Sequence, residues 1–197
     1  MLKTTGMPYR FAAKIVVLSG IVLLALISST VFVGCQEEAK PEAVLPIAPD
    51  FTLQSVNHGP VTLSDEVTQH ENTILVFYRG FFWGICRSQL VELQKEYGQF
   101  ANRKVEILAV SVDTIDNATQ MMQLVSASYP ILSDVEKVAA KRYGVLDLLG
   151  DKVAAPAVFI LNQKLEIEWR QVGANSGDRP SVKELLQALD QLNEWQA

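Results

Sequence analysis

Two short apolar runs with a helix-patterned stretch between them constrain this chain more than any other feature. Residues 73–78 are apolar at nearly every position and rich in β-branched side chains, and residues 105–112 repeat the pattern. A strand that is apolar on both of its alternating faces must be covered on both, as in the interior of a layered sheet. Between the two runs, Leu90, Leu93 and Tyr97 recur at helical spacing, which predicts a helix over residues 86–100. The unit reads as βαβ.

The remaining pattern extends that core. Residues 51–53 and 61–63 read as short strands around a turn at Asn57-His58-Gly59-Pro60. Residues 118–127 and 135–143 are predicted helices, the second stopped by Gly144. Residues 157–161 and 165–172 form a strand pair turned at Asn162-Gln163-Lys164. Residues 181–195 make a closing amphipathic helix, with Ser181 as N-cap and Glu184 completing a capping box. A βαβ unit followed by a hairpin and a last helix predicts an α/β fold: a mixed central β-sheet flanked by helices, over residues 48–197.

The first 47 residues have a different character. Lys3, Arg10 and Lys14 precede an uncharged apolar run over residues 15–33, and no acid occurs before Glu37. That layout predicts a secretory signal or membrane anchor over residues 1–35. Phe32-Val33-Gly34-Cys35 resembles the lipobox of bacterial lipoproteins, which implies acylation of Cys35 and loss of what precedes it. The alternative is an uncleaved helix, since the run approaches the ~20 residues that span a bilayer. Either tether predicts a bacterial cell-envelope protein with its domain on the extracytoplasmic side. Pro41 and Pro46 then mark residues 36–47 as an extended linker.

Charge excludes one class of partner. Of the 17 Lys+Arg, three lie ahead of Cys35, so 14 face 22 Asp+Glu beyond it and the formal net charge there is −8. Nucleic-acid binding needs clustered bases for phosphate contacts, so that class is set aside. His58 and His70 have no ligand spacing between them, and neither a metal site nor a cofactor is expected.

Function comes from more specific residues. Ala48-Pro49-Asp50-Phe51-Thr52-Leu53, the segment from Phe77-Tyr78-Arg79-Gly80 through Cys86, and Val110-Ser111-Val112-Asp113 stand in order along the chain. Pro130-Ile131-Leu132-Ser133-Asp134 and Ala155-Pro156-Ala157-Val158-Phe159-Ile160 follow. Together they resemble the alkyl hydroperoxide reductase/thiol-specific antioxidant (peroxiredoxin) family, from about residue 48 to the end. The resemblance implies a thioredoxin-like fold with Cys86 at the position of the peroxidatic cysteine. The subfamily most resembled writes its loop with Trp-Cys-Pro-x-Cys, and here Trp83 stands where the first of those cysteines would be and Gly84 where the proline would be.

The chemistry expected of Cys86 follows from its place. A thiolate, not a thiol, attacks peroxide or disulfide, and the first turn of a helix favours an anion through its unpaired N–H groups and macrodipole. Peroxide attack would leave a sulfenic acid, which an external thiol reductant must reset because no second thiol remains once Cys35 is in the anchor. Arg79 reads either as a positive charge beside the thiolate or as a structural ion-pair partner. Trp83 reads as an aromatic cover or an indole donor, and Gly84 as the residue that permits the turn. Pro156 resembles the cis-proline that faces the active cysteine in thioredoxin-like folds, or is an ordinary proline at a strand start. Arg170 is either a substitute for the family's thiolate-stabilising arginine or a surface charge. Three functions fit: a one-cysteine thiol peroxidase, a thiol–disulfide exchange protein forming mixed disulfides through Cys86, and an inactive thioredoxin-fold binding module presenting Phe81, Phe82 and Trp83. The plain alternative for Cys86 is a small buried hydrophobe.

Overall fold

A computed structural model describes residues 46–196, with side chains described through residue 194. The anticipated anchor, Cys35 and nearly all of the linker lie outside the described residues. Among those described, no helix is long and apolar enough to cross a membrane.

The two apolar runs are neighbouring strands at the centre of a seven-stranded mixed sheet. They are β3 (Asn72–Phe77) and β4 (Val105–Ser111), paired in parallel. Ahead of them lie β1 (Thr52–Ser55), β2 (Gly59–Thr62) and α1 (Leu63–Gln69). Between them run α2 (Gly84–Lys95) and α3 (Tyr97–Ala101). After β4 come α4 (Ile115–Val125), β5 (Ile131–Ser133), α5 (Val138–Arg142), β6 (Ala157–Asn162), β7 (Ile167–Val172) and α6 (Val182–Gln196). The strand order is β2-β1-β5-β4-β3-β6-β7, with β4–β5 parallel and every other remaining pair antiparallel. The α/β fold with a mixed sheet is as the periodicity predicts.

Every residue of β3 is buried because each face of the sheet carries its own helical layer. Ile74, Val76 and Tyr78 join Ile107 and Ala109 beneath Leu90 and Leu93 of α2, Met121 of α4 and Leu185 and Leu189 of α6. Leu75, Phe77, Leu108 and Phe159 point the other way, onto Leu63 and Val67 of α1 and Ala139 and Ala140 of α5. Cys86 belongs to the first layer.

Local departures from the expected elements have local causes. Leu63 begins a helix instead of ending a strand, and Leu63 and Val67, one turn apart, are its buried face. The single helix expected over residues 86–100 is broken at Glu96, whose ψ of 8° leaves the helical range. The helix expected from residue 135 starts only at Val138, after Lys137 at φ 60°. The buried Asp134 carboxylate sets that start by accepting from the N–H groups of Val138, Ala139 and Ala140 at 2.8, 3.2 and 2.8 Å. The capping box is present: the Glu184 carboxylate accepts from Ser181 N–H at 2.7 Å, and Ser181 Oγ accepts from Glu184 N–H at 3.3 Å. Pro46 and Ile47, at the end of the expected linker, already pair with the β6–β7 hairpin, Pro46 O accepting from Ile167 N–H at 2.8 Å.

Tyrosine burial gives a pH prediction. Desolvation raises Tyr78, Tyr129 and Tyr143 well above the ordinary phenol range, and it is the main cause lifting Tyr97 to about 12. A raised folded-state value means the unfolded chain ionises first. The stability these neutral phenols contribute is therefore whole below pH ~10 and is lost as pH rises beyond it, by up to ~1.4 kcal/mol per pH unit for each deeply buried tyrosine. Alkaline titration followed by circular dichroism and tyrosinate absorbance is expected to show ionisation arriving together with unfolding. Tyrosinate forming in a protein that is still folded would contradict these burials.

Candidate active site

The loop after β3 carries the functional residues to the start of α2. Tyr78 prolongs the strand by donating its N–H to Val110 O at 2.9 Å. The chain then turns at Gly80, with Trp83 N–H reaching Gly80 O at 3.3 Å, and enters α2 at Gly84. Cys86 is the third residue of that helix, and its N–H donates to Trp83 O at 3.0 Å. Trp83 is the N-cap and supplies no side-chain cap, and no acid stands in the first turn. The first-turn N–H dipoles therefore face an end with no competing carboxylate of its own.

Helix direction takes the Cys86 side chain inward, leaving it 1% exposed in the layer shared with Tyr78 and Leu90. Phe81 and Trp83 pack against the same layer, while Phe82 is turned out and 72% exposed, its ring 5.4 Å from that of Phe81. A cavity of about 410 Å³ lies along the outer side of α2, walled by Gly84, Arg87, Ser88 and Val91 among others. Cys86 is not among its walls.

Arg79 is 6% exposed, forms an ion pair with Asp151, and lies over the Trp83 ring with Cζ 5.0 Å from the centroid. Of the two expectations for Arg79, the ion-pair partner is realised. Its Nε and Nη1 remain buried without a hydrogen-bond partner, so the guanidinium also brings unspent donors to the loop.

Asp113, just past β4, holds the loop from the other side. Its carboxylate accepts from Phe81 N–H at 2.6 Å and sits against Gly80, where an added Cβ would fall 2.8 Å from Oδ2. Gly80 has φ +141°, a conformation that side-chain-bearing residues rarely adopt. The turn therefore depends on Gly80. Gly84, expected to permit it, is an ordinary first helical residue whose added Cβ would meet only Arg87 Nη2, at 3.6 Å.

Of the other anticipated residues, Pro156 lies beside the end of β3, since Ala157 pairs in register with Phe77. Pro156 is buried just ahead of β6, its carbonyl accepting from Gly173 N–H at 2.8 Å. Arg170 is exposed on β7 and pairs in register with Phe159, whose side chain belongs to the layer opposite Cys86. Neighbouring Trp169, opposite Ile160, is the β7 residue that packs on the Cys86 side. His70 lies near Glu106, with Nε2 to Oε2 at 3.8 Å, while His58 is exposed in its turn. Among the described residues no group of three or more His, Cys, Asp or Glu is placed to hold a metal ion.

Sequence reading missed Asp151, Gly80 and the role of Asp113. Asp151 lies 72 residues from its partner and carries no local signal. Asp113 had one: a carboxylate two residues beyond a strand that is apolar from Ile107 to Val110.

Known proteins resemble this chain over most of its length. The AhpC/TSA family pattern matches residues 44–170. The chain is 28% identical over 156 residues to the Bacillus subtilis (strain 168) protein YkuU, which carries a peroxiredoxin name, covering 74% of this chain and 86% of that one. It is 30% identical over 155 residues to the chloroplastic 2-Cys peroxiredoxin BAS1 of Hordeum vulgare, covering 74% and 72%. Among solved structures, the reduced 2-Cys peroxiredoxin of Plasmodium vivax superposes with TM-score 0.70 at 26% identity, over 79% of this chain and 99% of that one.

Proposed function

The chain belongs to the AhpC/TSA family, and from that membership we propose that it is a one-cysteine thiol peroxidase acting through Cys86. The observation that carries the reading is the place of Cys86 on the uncapped first turn of α2, beside a loop held from both sides by Asp113 and the Arg79–Asp151 pair.

The reaction is a two-electron transfer to a hydroperoxide. The Cys86 thiolate attacks the terminal peroxide oxygen, the S–O bond forms and the O–O bond breaks. Sulfur is oxidised to sulfenic acid, and the departing oxygen leaves as water or an alcohol after taking the proton the thiol had given up. An external thiol then attacks the sulfenic sulfur, releasing water, and a second thiol equivalent returns Cys86 to its reduced form. Hydrogen peroxide and alkyl hydroperoxides both satisfy this chemistry. Trp83 takes the place of a first motif cysteine, covering the site without offering a second thiol.

Residues 1–35 are the proposed tether, holding this chemistry at the outer face of a bacterial membrane through lipid on Cys35 or through an uncleaved helix.

Catalytic turnover tests the reading. Peroxide consumption in the presence of excess dithiothreitol is expected to exceed the reagent's own rate, and to fall back to it in Cys86→Ser. Equal consumption by the two proteins would rule out a Cys86 peroxidase.

A further inference from the structure

One buried polar group beside this chemistry makes no hydrogen bond within the fold. The Tyr78 side chain is fully buried, yet its hydroxyl has no hydrogen-bond partner. Tyr129, just as deeply buried, shows the usual arrangement, donating its hydroxyl to Leu90 O at 2.7 Å. Buried hydroxyls in native proteins are nearly always paired, and one that is not calls for a cause such as strain, an ordered water or a catalytic role.

The position of Tyr78 says which. It prolongs β3 at the point where the chain leaves for the Cys86 loop, and it shares a side-chain layer with Cys86. Ser111, the nearby hydroxyl, lies close enough to lower the phenol's range but meets no hydrogen-bond geometry with it, and its Oγ accepts from Asp113 N–H at 3.4 Å. Cys86 and Asp113 are the ionisable groups whose charges bear on it. The phenol is thus an unpaired donor in the same buried layer as the thiol.

We propose that the Tyr78 hydroxyl is the hydrogen-bond donor that holds the peroxide oxygen at Cys86 during attack, a role that rests on the peroxidase reading above. As the S–O bond forms and the O–O bond breaks, charge develops on the departing oxygen, and a fixed donor in a dry layer stabilises it there. Tyr78 keeps its own proton throughout, because burial pushes the phenol above its ordinary range. The departing oxygen takes the proton lost by Cys86, so atoms and electrons balance without a further reactant.

Tyr78→Phe in the full chain tests this, since it removes one oxygen and leaves the ring. Three quantities are measured: the rate of Cys86 oxidation by hydrogen peroxide, the rate of Cys86 alkylation by iodoacetamide, and the melting temperature. Alkylation reports thiol access and nucleophilicity but expels iodide, so it has no oxygen to be held. The expected result is a peroxide rate lower by about tenfold, the scale of one hydrogen bond, with alkylation unchanged and melting unchanged or raised. An unchanged peroxide rate overturns the proposal, and so does a parallel fall in both rates or a lowered melting temperature, which mark a structural role. A wild-type chain reacting no faster than a free thiol overturns the peroxidase reading along with it. A fast wild type matched by Tyr78→Phe overturns this inference alone.

Discussion

Replacing Asp151 with alanine is expected to cost about 2–3 kcal/mol of stability, because it strands a charge that cannot reach water. The Arg79 side chain is 8% exposed and Asp151 27%, so the pair lies nearer the buried than the surface extreme. Removing one partner of a buried pair typically costs ~3–5 kcal/mol, and the partial exposure of Asp151 places this case at the lower end. Arg79 Nε and Nη1 are already without partners, and the substitution would leave the whole guanidinium so. For a domain of this size the melting temperature is expected to drop by roughly 5–10 °C. Arg79→Met combined with Asp151→Leu is expected to recover most of that loss, since apolar replacement of both partners is often neutral. A single Asp151→Ala variant that melts with the wild type would show that the pair contributes nothing.

Gly80→Ala is expected to damage both stability and reactivity. Its φ of +141° is strained for alanine, and the new Cβ would press on the Asp113 carboxylate that holds Phe81 N–H. Strain and displacement together are expected to cost about 2–4 kcal/mol. Loss of the Asp113 anchor would also shift the loop feeding Cys86, and a misplacement of about 1 Å can lower a rate ~100-fold. Gly84→Ala is the matched control. It meets only an ordinary contact with Arg87 and replaces a flexible residue at the first helical position, so melting is expected to hold or rise by about 0.5 kcal/mol equivalent. Equal effects from the two substitutions, read by thermal melts and peroxide kinetics, would contradict the assignment of the turn to Gly80.

These two cases show where sequence reasoning reaches and where it stops. β3 and β4 were legible because burial on both faces leaves successive apolar residues, Ile74–Phe77 and Ile107–Val110. The place of Cys86 at the start of a helix was legible because the end of β3 and the next helical pattern bracket it, while its role came from the family resemblance. Glycine conformation is not written in the letters, so Gly84 could not be told from Gly80 without backbone angles. Arg170 needed register: the β6–β7 irregularity at Ile160/Leu161 and the pairing with Phe159 put it on the layer away from Cys86. The Arg79–Asp151 pair joins two loops that are adjacent only after the sheet has formed. Leu63 and Val67 did carry a helical spacing, but the β-branched residues before them drew the strand reading too far.

Burial of Cys86 bears on how the site works. Its side chain is 1% exposed in a layer against which Phe81 and Trp83 also pack, so the proposed attack on peroxide needs the structure around it to open. Arg79 over Trp83 and Asp113 on Phe81 N–H are the contacts that set how readily it does. At 1% exposure the Cys86 sulfur lies out of water, the setting in which fixed donors act most strongly.

The measurement that bears most directly on the central claim is sulfenic-acid trapping at Cys86. The full chain would be exposed briefly to hydrogen peroxide with dimedone present, and the Cys86 peptide quantified by mass spectrometry over time. Cys86→Ser serves as the blank. Adduct accumulating on Cys86 much faster than on a free cysteine peptide in the same solution is the predicted result. Adduct appearing no faster than on the peptide would mean that Cys86 is a buried core residue and that the fold serves something other than peroxide reduction.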